Sequence, residues 1–66
     1  MVLVGIVKKY NKKFGTIVSD DKKIDFEKND ISLNQDIEVG DTVEFRVEVK
    51  PYNVLIARNI SKVNNK

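Results

Sequence analysis

The sequence predicts an all-β fold, a small antiparallel barrel of five short strands, and three observations carry that prediction. Thr42 to Val49 alternates strictly, with Val43, Phe45, Val47 and Val49 on one face and Thr42, Glu44, Arg46 and Glu48 on the other, which is the period of a half-buried strand. Residues 5 to 17 place β-branched and aromatic residues on both sides of the polar triplet Asn11-Lys12-Lys13, as two strands joined by a tight turn do. Finally, five such runs fall within about 60 residues, three in close succession and two after a long connection, a spacing typical of small barrels.

Taken in order, Val2 to Tyr10 is the first strand, and Gly5 within it predicts a bulge or sharp bend. Phe14 to Ser19 is the second, with Phe14 and Thr16 on one face and Gly15 and Ile17 on the other. After the polar turn at Asp20-Asp21-Lys22, Lys23 to Glu27 is the third, with Ile24 and Phe26 inward and Asp25 and Glu27 outward. Residues 28 to 41 are polar with isolated apolar anchors at Ile31, Leu33, Ile37 and Val39. That length excludes a tight hairpin and predicts a long connection or a helical turn pinned by Ile31, with Val39-Gly40-Asp41 turning into the fourth strand. Lys50 to Asn53 is a turn in which Pro51 fixes φ and Asn53 tolerates a left-handed backbone. Val54 to Ile60 is the fifth strand, and Val63 alone in the polar tail looks able to add to it. The expected core is Ile17, Ile24, Phe26, Ile31, Val43, Phe45, Val47, Ile56 and Ile60.

The 66 residues are read as a single domain over 1–66, with 62–66 a flexible tail. At this size only about 60% of the unfolded chain's surface can be buried, so stability is marginal. The chain has no cysteine and no histidine, which excludes disulfides, thiolate or imidazole metal sites, and Ser-His or Cys-His nucleophiles built within it. A net charge of +2 is only mildly basic, so an electrostatic case for nucleic acid rests on where the lysines lie. The apolar opening Met1 to Val7 is too short for a signal-peptide core with its flanks or for a membrane span. A cytoplasmic protein with no membrane association is expected.

Two aromatics and four lysines lie within residues 5 to 17, the chemistry of a sheet surface that stacks bases and attracts phosphates. A five-stranded barrel of this order is the oligonucleotide-binding Greek-key type, with an SH3-like barrel as its competitor. Here the residues resemble a family. Gly5-Ile-Val-Lys-Lys-Tyr-Asn11 looks like the opening Gly-x-Val-Lys-Trp-Phe-Asn of bacterial cold-shock domains, and Lys12-Lys-Phe-Gly-Thr-Ile17 resembles their first RNA-binding motif, Lys-Gly-Phe-Gly-Phe-Ile. Gly40-Asp-Thr-Val-Glu-Phe45 is similar to the family's Gly-x-x-Val-x-Phe, and Ala57-Arg-Asn-Ile60 to its closing Ala-x-Asn-Val. The four pieces span nearly the whole chain in order.

What the resemblance implies is a cold-shock-like barrel that binds single-stranded RNA or DNA on the outer face of strands 1 to 3. Carried over by position, Lys8, Lys12 and Phe14 match ligand-contacting residues directly and Tyr10 stands where the family has Phe. Lys9, Lys13 and Thr16 occupy the family's tryptophan, turn glycine and second phenylalanine. These seven residues form the expected nucleic-acid site. No catalytic residue, metal or small-molecule cofactor is expected.

The departures are concentrated on that face. In the second motif, where the family has Val-Phe-Val-His, this chain has Ile24-Asp-Phe-Glu27, so that Asp25 and Glu27 replace a stacking phenylalanine and a histidine. Each lost stacking aromatic removes about 1 to 3 kcal/mol. Lys9, Lys13 and Lys23 offset part of the loss, so binding is expected to be weaker, less base-dependent and more salt-sensitive than in the family. Alternatively Lys9 or Lys13 pairs with Asp25 or Glu27 across the strands, a structural role worth about 0.2 to 1 kcal/mol. Acid–base catalysis by the acidic pairs is disfavoured, because so small a barrel has little concave pocket in which to shift a pKa. The alternative function is a protein-interaction module on a barrel that has lost nucleic-acid binding.

Overall fold

The structure, a computed structural model, describes residues 2–33 and 35–63. Five strands, β1 (Val2–Tyr10), β2 (Phe14–Ser19), β3 (Lys22–Glu27), β4 (Thr42–Lys50) and β5 (Val54–Lys62), close into a barrel in the order β1-β2-β3-β5-β4. Neighbours pair antiparallel except β3 and β5, which run parallel through Asp25 and Ile56. β1 serves two neighbours. Its first half pairs with β4 and its second half with β2, and Ile6 is opposite both Thr42 and Val18. One strand thereby ties the meander β1-β2-β3 to the β4–β5 hairpin, and the expected five-stranded Greek-key barrel is the fold observed.

Gly5 lies at this crossover, but for a reason other than the expected bulge. A Cβ there would come within 2.6 Å of Ile17 Cγ2 and 2.7 Å of the Val18 carbonyl oxygen. The glycine permits close strand approach. The bulge in β1 falls three residues later, at Lys8.

The core comprises Val7, Ile17, Ile24, Phe26, Ile37, Val43, Phe45, Ala57 and Ile60. Ile31 and Val47 only pack against its edge, and Ile56 lies outside it, half-buried. Val7, Ile37 and Ala57 were not among the expected core residues. Val49 continues the apolar face of β4 yet is 63% exposed. The β1–β4 pairing ends at Val2 and Arg46, so the last residues of β4 have only β5 beside them, with Val49 opposite Leu55.

The turns follow their residues. Asp20 (φ 54°) and Asp21 (φ 64°) are both left-handed, the two-residue hairpin geometry that matches strand twist. At the β4–β5 tip, Tyr52 (φ 64°) joins Asn53 (φ 61°) in that region. Asn59 (φ 55°) does so inside β5, where the register against β4 shifts between Glu44 and Arg46. An asparagine at a left-handed bulge position is the least costly non-glycine choice there.

The long connection begins with a single 3-10 turn over Lys28–Asp30, after which Ile31 bridges to Ile60 and Ser32 N–H donates to the Ile60 carbonyl at 2.8 Å. Of the four apolar anchors, Ile31 and Ile37 pack inward, whereas Leu33 and Val39 are exposed. Gly40 (φ 97°) completes the turn into β4. β5 runs to Lys62, and Val63 N–H donates to the Thr42 carbonyl at 2.9 Å. The proposed tail therefore loses Lys62 to the strand, and its residues 64–66 lie outside the described part. No helix among the described residues is long and apolar enough to cross a membrane.

Candidate nucleic-acid interface

The bulge at Lys8 shapes the outer face of β1. Val7 is opposite Ile17 and Lys9 opposite Thr16, so β1 carries one extra residue. On its other edge Val7 N–H donates to the Asp41 carbonyl at 3.0 Å, and its own carbonyl accepts from Gly40 N–H at 2.8 Å. The inserted residue resets the alternation: Lys8 and Lys9 both face out, and Tyr10 turns toward the core. Its ring packs on Phe26, with centroids 5.6 Å apart and planes tilted by 36°. Tyr10 is thus half-buried packing with one side toward the groove rather than a free stacking platform.

The β1–β2 turn is held by Asn11, whose Oδ1 accepts from the N–H groups of Lys13 (3.0 Å) and Phe14 (2.9 Å). Lys12 takes the left-handed position, at φ 78°, and the Lys13 carbonyl accepts from Lys28 N–H at 2.9 Å. Both lysines project from the rim, outside the groove lining. Phe14, the first residue of β2, is 59% exposed. Gly15 beside it leaves room for Phe26 beneath, because a Cβ there would collide with the Phe26 ring.

These residues border an open groove of about 880 Å³. Lys8 and Lys9 form its β1 side, Phe14 and Thr16 its middle, and Asp25 and Glu27 its β3 side, as the strand alternation predicts. A smaller hollow of about 360 Å³ shares Lys8, Lys9 and Thr16 with it and is bordered further by Val18 and Lys23. Thr16 Oγ1 donates to Asp25 Oδ1 at 3.2 Å. The alternative pairing of Lys9 or Lys13 with Asp25 or Glu27 does not form; among the described residues, the ion pairs use Lys50, Arg58 and Lys62.

The far wall is the part sequence reasoning missed. Lys50, Ile56 and Arg58 of the β4–β5 hairpin line it together with Asp30. Arg58 Nη1 donates to the buried Asp30 Oδ1 at 2.9 Å and Nε to Glu48 Oε1 at 2.8 Å, while Lys50 Nζ lies 3.4 Å from Glu48 Oε2. Asp30 Oδ2 accepts from Glu27 N–H at 2.9 Å. The hydrogen bonds from Lys50 and then Arg58 hold the Glu48 carboxyl below its usual value, and the Asp30 carboxylate, then Glu48, raises the Arg58 guanidinium above its own. This wall is therefore internally neutralised, and the free positive charge of the face lies on the β1 side. The only early signal was Glu48 on the outward face of the fourth strand, since Lys50 reads from sequence as the start of the following turn.

Among the described residues no group of three or more carboxylates is placed to hold a metal ion. No family model matches the sequence, and no curated protein matches it. Among solved structures, the Drosophila Unr cold-shock-domain structure CSD456 superposes with a TM-score of 0.80 over 97% of this chain, at 19% identity. The chain spans 27% of the length of that protein chain. At such identity the likeness bears on the fold, which is that of a cold-shock-like barrel. The neighbour is from an insect, so the likeness carries no bacterial attribution.

Proposed function

We propose that this barrel binds single-stranded nucleic acid, RNA or DNA, along the outer face of β1 to β3 as a non-catalytic module. The observation that carries the reading is Phe14, a 59% exposed ring beside lysines that have no internal carboxylate partner among the described residues. An exposed aromatic next to free cations suits a base stacked over the ring with its phosphates toward the lysines. Lys8 and Lys9 are the phosphate contacts along the groove, with Lys12 and Lys13 at its rim. Tyr10 and Thr16 contribute apolar contact rather than stacking. With one free ring in place of the family's several, binding is weaker and leans more on charge.

A protein partner is the second reading, and it is favoured by the aliphatic row Val2, Val4 and Ile6, which are 46 to 54% exposed on the outer face of β1. Ionic strength separates the two. Each phosphate neutralised on a single strand contributes about −0.7 to the log-log slope of affinity against salt, so three or four lysines give about −2 to −3. Fluorescence anisotropy of a labelled oligothymidylate, titrated between low and moderate salt, measures it. Absence of association at ~50 mM salt removes the nucleic-acid reading and leaves the aliphatic row as the binding surface.

A further inference from the structure

We infer that Glu27 makes this face selective for guanine at the position stacked on Phe14, an inference that rests on the single-strand reading above. Phe14 and Glu27 are direct cross-strand partners in the β2–β3 register, both side chains point outward, and both line the groove. Residues so opposed have Cβ atoms about 5 Å apart. A base lying on the Phe14 ring therefore presents an edge within reach of the Glu27 carboxylate.

The layout of the face turns that edge the right way. Around the groove itself the lysines unpaired among the described residues, Lys8 and Lys9, lie on β1, the ring on β2 and the carboxylates Asp25 and Glu27 on β3. Lys23 of β3 lies at the other end of that strand, beside the smaller hollow. A strand whose phosphates settle on Lys8 and Lys9 directs its base edges toward β3. The other carboxylates near the groove are already engaged: Asp25 by the Thr16 hydroxyl, Asp30 by Arg58, and Glu48 by Arg58 and Lys50. Glu27 accepts the Asp30 backbone N–H in the capping box of the 3-10 turn, but among the described residues its carboxylate has no ion-pair partner and is tied to no other side chain. It therefore keeps lone pairs for a further donor.

A carboxylate only accepts hydrogen bonds. On its Watson–Crick edge guanine alone offers two adjacent donors, N1–H and N2–H, at a spacing that two carboxylate oxygens can accept together. Adenine, cytosine, thymine and uracil each set an acceptor beside their donor, which would face Glu27 with lone pair against lone pair. Unpaired bases are read on this edge. Lost stacking rings lower base dependence along most of the strand, and Glu27 restores it at one position.

The test uses labelled heptamers of thymidine whose central residue is thymine, adenine, cytosine, guanine, hypoxanthine or 7-deazaguanine, measured by anisotropy at one low salt concentration. The guanine heptamer should bind at least about fivefold more tightly than the all-thymine strand, the scale of a good bidentate contact. Hypoxanthine, lacking the N2 amine, should fall between them, and 7-deazaguanine, which keeps both donors, should match guanine. In the Glu27→Gln protein the all-thymine strand should bind more tightly, because a negative charge is gone, while the guanine preference collapses. Equal affinity for all six strands, or a preference that survives Glu27→Gln, overturns the inference while leaving the single-strand reading intact. No binding of any heptamer overturns that reading, and the inference falls with it.

Discussion

Replacing Phe14 with alanine separates a binding ring from a packing ring, because the structure assigns it mostly to solvent. With 59% of its surface exposed, about two-fifths is covered. Full burial of a phenylalanine is worth about 1.5 to 3 kcal/mol, so the covered part amounts to about 0.6 to 1.2 kcal/mol. In a domain of this size that lowers the melting temperature by less than about 10 °C. Removal of a stacked ring, in contrast, costs about 1 to 3 kcal/mol of binding, a factor of about 5 to 150 in Kd. Thermal melting and oligothymidylate anisotropy on the same preparation read the two effects independently. A folded Phe14→Ala protein with unchanged affinity refutes the stacking role and moves the strand elsewhere on the barrel. A variant that no longer folds refutes the exposure argument instead.

Phe45 supplies the opposite case: it is 1% exposed, and Phe45→Ala should cost about 3 to 5 kcal/mol, a large part of the stability of a marginal domain. Melting within a few degrees of the parent would contradict the barrel register. Acid should weaken the hairpin wall through Glu48, whose carboxyl is held below 4.5 by Lys50 and Arg58. A depressed folded-state pKa contributes stability above the unfolded value that is lost as pH falls through the folded value. Urea midpoints should therefore decline below about pH 4.5 more steeply for the parent than for Glu48→Gln, and parallel curves would show the network to be inert.

Strict alternation carried over into the structure wherever a strand is flanked on both sides. Ile24 and Phe26 on β3 and Val43 and Phe45 on β4 are buried as their period requires. The same period misleads at Val49, because alternation says which way a side chain points and not where the barrel stops covering it. Ile56 was misplaced for a different reason. Unbroken alternation puts it on the same face as Ile60, but the bulge at the left-handed Asn59 shifts the phase of β5, so that Ala57 and Ile60 are buried and Ile56 lies opposite the outward Asp25. The bulge at Lys8 left no local mark, since the residues that stabilise it, Gly40 and Asp41, lie more than thirty positions away. Hence Tyr10 could be matched to a family position and still turn its ring onto Phe26. The Asp30–Arg58 pair, separated by 28 residues, was equally invisible until the fold brought the 3-10 turn against β5.

The two carboxylates on β3 carry the functional question, and their surroundings divide them. Asp25 is tethered by Thr16 and lies between that residue on β2 and Ile56 on β5, so its charge is part of the sheet surface whatever binds above it. Glu27, at the end of β3 beside an exposed ring, is held by the Asp30 backbone N–H of the capping box but, among the described residues, by no other side chain. If both were merely remnants of a lost platform, neutralising either would tighten every oligonucleotide by a similar factor, since repulsion of phosphates does not distinguish bases. If Glu27 reads a base, neutralising Asp25 should tighten all strands alike, whereas neutralising Glu27 should tighten thymine strands and loosen guanine-bearing ones relative to them. Asp25→Asn and Glu27→Gln, assayed against the same two heptamers, thus differ in one ratio, guanine over thymine affinity, which stays constant in the first and falls in the second, a quantity from which shared changes in stability and overall charge cancel.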